Sequence, residues 1–478
     1  MRGTRVPLRV MISMSAVLIG LLACKPQLVG TLDDDHESGI GVDAGDPMSP
    51  LDLAVPRVPP KIPGCVGDCV VNTKCPVEKG PTTLTGTVTI PSGLLPVYNA
   101  RVYIPTGNEL PPPPAAGASC DRCDPGPTQF ATTTDVNGRF TLSNVPSGLN
   151  IPLIIRVGKW RRMVTIGQIT ECQVNAIAQE GTRLPRSRNE GNIPRIALST
   201  GSADALECIL RSGKLGLEDS EFTPESDAGR VHLYAGANGA AQYVASLNGG
   251  VRFTAAKTLP TLSWWDSYEN WAKYDIVMLS CEGQQYMNYK STAAMANLEK
   301  YIGSGGRVFA SHWHNGWLAN ARPPQKLQNV AMFGVNSNLG SITANINTTF
   351  SKGAALADWM VLPAVSGTPP PARGQLSVIG AKNTISGLSA ALVQRWVDAP
   401  SGVSQYFSFD APIGDEPERL CGQMVFTDLH VSSGTGGDMS SAAVPFPLGC
   451  NASTLSAQEK ALIFMLFDLT NCLQPPIG

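Results

Sequence analysis

Charge is scarce in this chain. Only 15% of its 478 residues are Asp, Glu, Lys or Arg, and 36 basic residues stand against 38 acidic ones. So near-neutral a balance gives no global pull toward nucleic acid or anionic lipid, and excludes a polyanion-binding protein built on net charge. Histidine is scarcer still, with five residues: His36, His232, His312, His314 and His430. There is no Cys-x-x-Cys-His, which excludes a c-type haem attachment site. The leading apolar run, Val10 to Ala23, is short for a membrane span.

What is abundant is glycine, proline and cysteine. Gly 48 and Pro 38 favour β-rich, loop-rich parts, and 43% hydrophobic residues suffice for ordinary cores. The length suits two or three domains. Twelve cysteines fit an oxidising compartment. Arg2, Arg5 and Arg9 precede the apolar run, which ends Leu21-Leu22-Ala23-Cys24. This has the layout of an export signal. The ending resembles a bacterial lipobox, which implies cleavage before Cys24, lipidation of Cys24 and attachment to the membrane. Lys25 after the cysteine implies the outer membrane. With Cys24 lipidated, eleven cysteines remain, so at least one is unpaired. Cys281, isolated in the sequence, is our candidate for the free thiol.

Residues 24–62 hold Asp33, Asp34, Asp35, Glu37, Asp43, Asp46 and Asp52 among Gly and Pro. This composition predicts a disordered tether. Cys65, Cys69 and Cys75, with Cys120-x-x-Cys123, predict disulfides, with a zinc cluster as the other reading. From Thr83 to Ile166 apolar and polar residues alternate. Leu84, Gly86 and Val88 share one strand face, and Ala100, Val102 and Ile104 share another. Asn137-Gly138 predicts a hairpin. Gly86, Val88, Ala100, Val102, Thr134, Asp135, Gly138, Phe140, Leu142, Pro146 and Gly148 resemble the carboxypeptidase regulatory-like domain. That resemblance implies a non-catalytic, transthyretin-like β-sandwich over residues 63–198. Arg156, Lys159, Arg161, Arg162, Arg183, Arg186, Arg188 and Arg195 form a basic stretch, readable as a polyanion patch or as local ion pairs. Residues 199–228 read as a connector.

From Gly229 to Gly478 strands alternate with helices. Ile276 to Leu279 and Val308 to Ala310 are short apolar runs, with a helix N-capped by Ser291 between them. A βαβ unit puts both strand ends on one edge of a parallel sheet, where such proteins place ligands. Cys281 and Glu282 follow the first strand, and His312 and His314 the second. Helices are also expected over Gly236 to Leu247, near Gly353 to Trp359 and over Ser453 to Leu469, with a turn and short helix over Ile385 to Leu392. The architecture expected overall is α/β plus all-β: the sandwich followed by a doubly wound three-layer domain of flavodoxin or amidotransferase type.

The stretches Gly305 to His312 and Gly422 to His430 resemble the class I glutamine amidotransferase-like fold, and within it the ThuA-like group. In that fold the nucleophilic cysteine sits on the turn after the central strand, which here holds His312. The histidine near the last strand matches His430. The acid two residues beyond is replaced by Ser432. Nucleophile and acid are both missing, so the resemblance implies no glutaminase.

Three readings of the site stay open. His312, His314 and His430, or two of these histidines with Glu282 or Asp428, would suit zinc with an open water position, a metal-dependent hydrolase. Cys281 with His312 or His430, oriented by Glu282, would suit thiolate chemistry. The third is a surface-anchored lipoprotein with a binding or structural role and a carbohydrate or protein partner in the envelope. In it, Trp264, Trp265, Trp313 and Trp317 could line a carbohydrate groove. The sequence favours the third, with the metal-dependent hydrolase second.

Overall fold

The computed structural model describes residues 61–67, 69–121, 129–256, 264–319, 322–366, 370–430, 437–452 and 454–473. The export signal, Cys24, the acidic tether up to residue 60, Cys123 and Ser432 lie outside the described residues. Among the described residues no helix is long and apolar enough to cross a membrane.

The first part of the chain forms two small sheets. One holds β1 (Thr83–Thr87), β4 (Arg139–Ser143) and β7 (Val174–Ala176). The other holds β2 (Arg101–Tyr103), β3 (Ala131–Thr133), β5 (Gly148–Val157), β6 (Trp160–Ile169) and β8 (Gly191–Asn192). Leu84, Phe140 and Leu142 from one sheet and Val102, Leu153 and Ile155 from the other share one apolar core. Asn137-Gly138 does not join paired strands, because β3 and β4 belong to different sheets. It makes a corner instead. Gly138 N donates to Asp135 O, Asp135 N donates to Arg139 O, and a Cβ on Gly138 would lie 2.4 Å from Val88 O.

A ten-stranded sheet forms the rest. Its strands are β9 (Ile196–Ser199), β10 (Val231–Ala235), β11 (Thr254–Ala255), β12 (Ile276–Leu279), β13 (Arg307–Ser311), β14 (Ala331–Ile346), β15 (Gln375–Leu388), β16 (Gln394–Asp398), β17 (Ser404–Ala411) and β18 (Gly422–Thr427). The order is β11-β10-β9-β12-β13-β18-β17-β16-β14-β15. The first six are parallel and the last four antiparallel additions. Parallel strands buried on both faces read as continuous apolar runs, as β12 and β13 do.

Alternate side chains of those strands enter two different cores. Val277, Leu279, Val308 and Ala310 pack with Met295, Leu298 and Ile302 of the helix Thr292–Gly303. Ile276, Met278 and Phe309 face the cluster that holds Leu462, Met465 and Leu469 of the helix Ala457–Thr470. The sheet is therefore the middle of three layers. The Ser291 hydroxyl accepts from Ala294 N at 3.0 Å, and Ser456 and Glu459 make a full capping box on the last helix.

Several expectations need correction. The segment 199–228 is not a simple connector boundary, because β9, ending at Ser199, is a central strand between β10 and β12. No helix forms over Gly236 to Leu247. A Cβ on Gly236 would sit 1.9 Å from Thr200 O, and the chain instead crosses in extended form, with Tyr243 bridging to Phe446. Ile385 to Leu392 begins as strand, not helix, since β15 runs on to Leu388 paired with β14.

The two parts are tied together. Disulfides join Cys65–Cys69, Cys75–Cys172, Cys120–Cys421 and Cys208–Cys450, so the described cysteines of the first part are paired, not a zinc cluster. Cys120–Cys421 links the two parts directly. Trp160 packs at a tilt against Phe467 at 5.6 Å, Trp359 Nε1 donates to Pro96 O, and Lys159 pairs with buried Asp275.

Candidate functional site

The C-terminal ends of β12, β13 and β18 bring three side chains together. Cys281 follows β12, His312 follows β13, and His430 comes three residues after β18. Cys281 Sγ lies 3.6 Å from His312 Nδ1 and 3.7 Å from His430 Nε2. The two ring nitrogens lie 2.9 Å apart. Cys281 and His312 are fully buried, and His430 is partly exposed. Among the described residues this is the one His/Cys/Asp/Glu cluster whose donor atoms converge within 4.8 Å. Cys281 is also the one free cysteine among them, as expected.

His312 stands on a sharp turn. Its φ is +36°, in the left-handed region that a side chain with Cβ rarely adopts. Such strain persists only where surrounding contacts fix it, and it gathers at functional positions. Ser311, just before it, donates to the buried Asp204 carboxylate. Trp313, just after it, covers the His312 ring at 4.9 Å. His312 Nε2 lies 3.3 Å from Asn336 Oδ1 on β14 and 3.9 Å from Asp428 Oδ1. With Nε2–H donating to Asn336, the Nδ1 lone pair is left facing Cys281 and His430.

Burial decides the protonation states. It lowers His312 to about 3, helped by His430. It lowers His430 to about 4, with the Lys382 charge adding to the effect. It pushes the Cys281 thiol well above its ordinary value, with Asp204 reinforcing it, while the amides of Trp313 and Gly283 hydrogen-bond the sulfur and pull the other way. Asp428 is raised to about 6 by burial, against the two hydrogen bonds it accepts from Thr384. The cluster alone therefore rests as a neutral thiol between neutral imidazoles. This opposes a preformed thiolate–imidazolium pair, which needs both shifts reversed.

The other expected site residues lie elsewhere. His314 is fully buried, with Nε2 2.8 Å from Ser280 O and Nδ1 accepting from Trp317 Nε1 at 3.0 Å. Both nitrogens are engaged, so His314 has no lone pair free for a metal, and the cluster that could hold an ion is Cys281, His312 and His430. Glu282 orients neither ring. Burial works against its charge, but Lys290 at 2.8 Å holds it below its ordinary value, and it accepts from Ala237 N at 2.8 Å. Glu282 thus pins the loop after β10 to the loop after β12. Trp264, Trp265 and Trp317 are core, packed against Trp271, and line no groove. Trp313 alone of the four is partly exposed. The basic stretch resolves into local ion pairs: Arg156–Asp121, Arg183–Glu190 and Arg188–Glu221.

Three residues near the cluster were not read from the sequence. Asn336 reaches His312 from β14, and Lys382 comes from β15. Gln458 donates to His430 O at 2.7 Å and exchanges hydrogen bonds with both N and O of Ile379. The signal for the first two was a run of polar residues inside an unrecognised hairpin.

No protein-family model matches the chain, and no curated protein matches it. Among solved structures, that of a ThuA-like protein from Bacteroides uniformis ATCC 8492 is similar over 57% of this chain and 90% of that one. Sequence identity there is 10% and the TM-score 0.28.

Proposed function

We propose that Cys281, His312 and His430 hold a single transition-metal ion of zinc type, and that the protein is a metal-dependent hydrolase anchored in the cell envelope. The observation that carries this is the spacing of the three donors. Tetrahedral zinc with one sulfur and two imidazoles wants about 3.6 Å between sulfur and nitrogen and about 3.4 Å between nitrogens. The sulfur–nitrogen distances here are 3.6 and 3.7 Å, and the nitrogens, at 2.9 Å, need move apart by only about half an ångström.

The donor chemistry agrees. Neutral imidazole is the form that ligates, and burial keeps both rings neutral. A thiol that coordinates gives up its proton, and the amides of Trp313 and Gly283 already point at the sulfur. Three protein ligands leave a fourth position open, the pattern of catalytic rather than structural zinc. The ion, when bound, supplies Lewis acidity and a water acidified toward neutral pH. Asn336 holds the His312 ring in the tautomer that points Nδ1 inward. The imidazole at the turn after β13 cannot form the thioester of a glutaminase.

The sequence favours a purely binding or structural role over this one. The convergence of Cys281 with the two histidines, unreadable from spacing alone, supports reversing that order. Envelope attachment through Cys24 remains part of the proposal, supported by the disulfides of an oxidising compartment. The test is a panel of ester, amide and phosphoester substrates with untreated, chelator-dialysed and zinc-restored protein. Hydrolysis that disappears on dialysis and returns with zinc supports the reading. Hydrolysis indifferent to chelation, or absent from every class, contradicts it.

A further inference from the structure

The hairpin of β14 and β15 forms a wall of the site. Asn336 on β14 reaches His312 Nε2. On β15, Thr384 donates to Asp428 through both its amide and its hydroxyl. The backbone of β15 is fixed up to Lys382: Gln458 clasps Ile379, and Gln405 Nε2 donates to Lys382 O at 2.9 Å. Lys382 stands two residues before Thr384, so strand alternation turns its side chain to the same face. It pairs in register with Asn338, two residues from Asn336. Its charge lies within electrostatic reach of His312, His430 and Asp428.

Lys382 differs from the other part-buried lysines. Lys159, Lys214, Lys290 and Lys352 each have a carboxylate partner, and Lys460 donates to Val365 O. Among the described residues Lys382 has none within ion-pair distance; the one acid it faces, Asp428, is committed to Thr384. A part-buried cation without a counter-charge is unfavourable. It becomes more so beside a bound dication, whose charge one thiolate only half offsets. The electrostatics of the site call for an anion.

We propose that Lys382 binds an anionic oxygen group, a carboxylate or a phosphate, on the molecule that reacts at the Cys281–His312–His430 centre. This rests on the metal-centre reading and narrows its substrates to oxyanion-bearing compounds. Lys382 is a specificity residue: it selects charge and ligates nothing.

The experiment uses cobalt-loaded protein, whose visible spectrum reports the coordination sphere. Acetate, inorganic phosphate and acetamide, the neutral analogue of acetate, are titrated into wild type, Lys382→Met and Lys382→Arg, with melting curves to establish folding. At least one of the two anions should perturb the wild-type spectrum, and which does so tells carboxylate from phosphate. Its Kd should rise about tenfold or more in Lys382→Met and be largely restored in Lys382→Arg. Any response to acetamide should be alike in all three. A folded Lys382→Met that binds both anions as tightly as wild type overturns this inference and leaves the metal centre standing. So does a wild type that takes up cobalt and responds to neither anion. Wild type that takes up no cobalt overturns the metal centre and this inference with it.

Discussion

Trp317 Nε1 donates to His314 Nδ1 at 3.0 Å, and this bond separates His314 from the histidines two positions before and far beyond it in sequence. With Nε2 on Ser280 O, His314 has no lone pair left for a metal. Its role is to hold the Trp317 core beneath the site. Replacing it with Ala leaves a buried indole N–H and a carbonyl without partners and opens a cavity. We expect His314→Ala to lose about 3 kcal/mol of stability in urea unfolding, while the purified variant binds as much zinc as wild type.

Glu207 gives the protein a pH-dependent stability. Its carboxyl is fully buried, accepts from Ser440 Oγ through Oε1, and has no partner for Oε2. Burial raises it from 4.5 to about 7. The native state therefore keeps a proton that the unfolded chain releases between those values. The associated stability is fully present below 4.5 and is lost as pH rises through 7. At about 1.4 kcal/mol per pH unit the loss is roughly 3 kcal/mol. Glu207→Gln should match wild type near pH 4.5 and exceed it by roughly 2–3 kcal/mol at pH 8.5, measured by denaturant unfolding at each pH.

Gln458 ties His430 to β15. Its amide is buried, and Gln458→Met keeps its volume but removes all three hydrogen bonds. Partners that orient a ligand are commonly worth 10–100-fold in metal affinity. We expect Gln458→Met to weaken zinc binding about tenfold in competition with a chromophoric chelator, with a destabilisation of about 2 kcal/mol.

Gly158 marks how closely the two parts of the chain are joined. It turns β5 into β6 with φ +53°, and a Cβ there would lie 1.6 Å from Thr470 O at the end of the last helix. Gly158→Ala therefore strains the backbone and pushes the two parts asunder. We expect a loss of about 3 kcal/mol or more in unfolding by circular dichroism. Wild type, with Trp160 packed on Phe467 across the same contact, should unfold in one transition.

The central unit was legible because its signals are local. The apolar runs at Ile276 to Leu279 and Val308 to Ala310, and the Ser291 cap, need only neighbouring residues to declare themselves. So did the isolation of Cys281. What could not be read depended on distant partners. Tyr243 crosses as extended chain because it bridges to Phe446, and β15 continues past Ile385 because β14 lies beside it and Asp428 holds Thr384. β9 looked like the end of the first part, since nothing within Ile196–Ser199 says which sheet it joins. His312 and His314 are two apart in sequence, and alternation would turn them the same way. The chain leaves the strand at Ser311 and enters a 3-10 turn at His312, which sends His314 down into the core. The third member of the cluster, Cys281, sat in the competing thiol reading.

The most direct measurement is metal content by mass spectrometry on periplasmically expressed soluble protein beginning after Lys25, dialysed and then reconstituted with zinc. Wild type would be compared with Cys281→Ser, His312→Ala, His430→Ala and His314→Ala. The account predicts about one zinc per chain in wild type and in His314→Ala, and loss of that ion in each of the other three. Wild type that is folded yet holds no stoichiometric metal would contradict it, as would a Cys281→Ser variant that keeps its zinc while His314→Ala loses it.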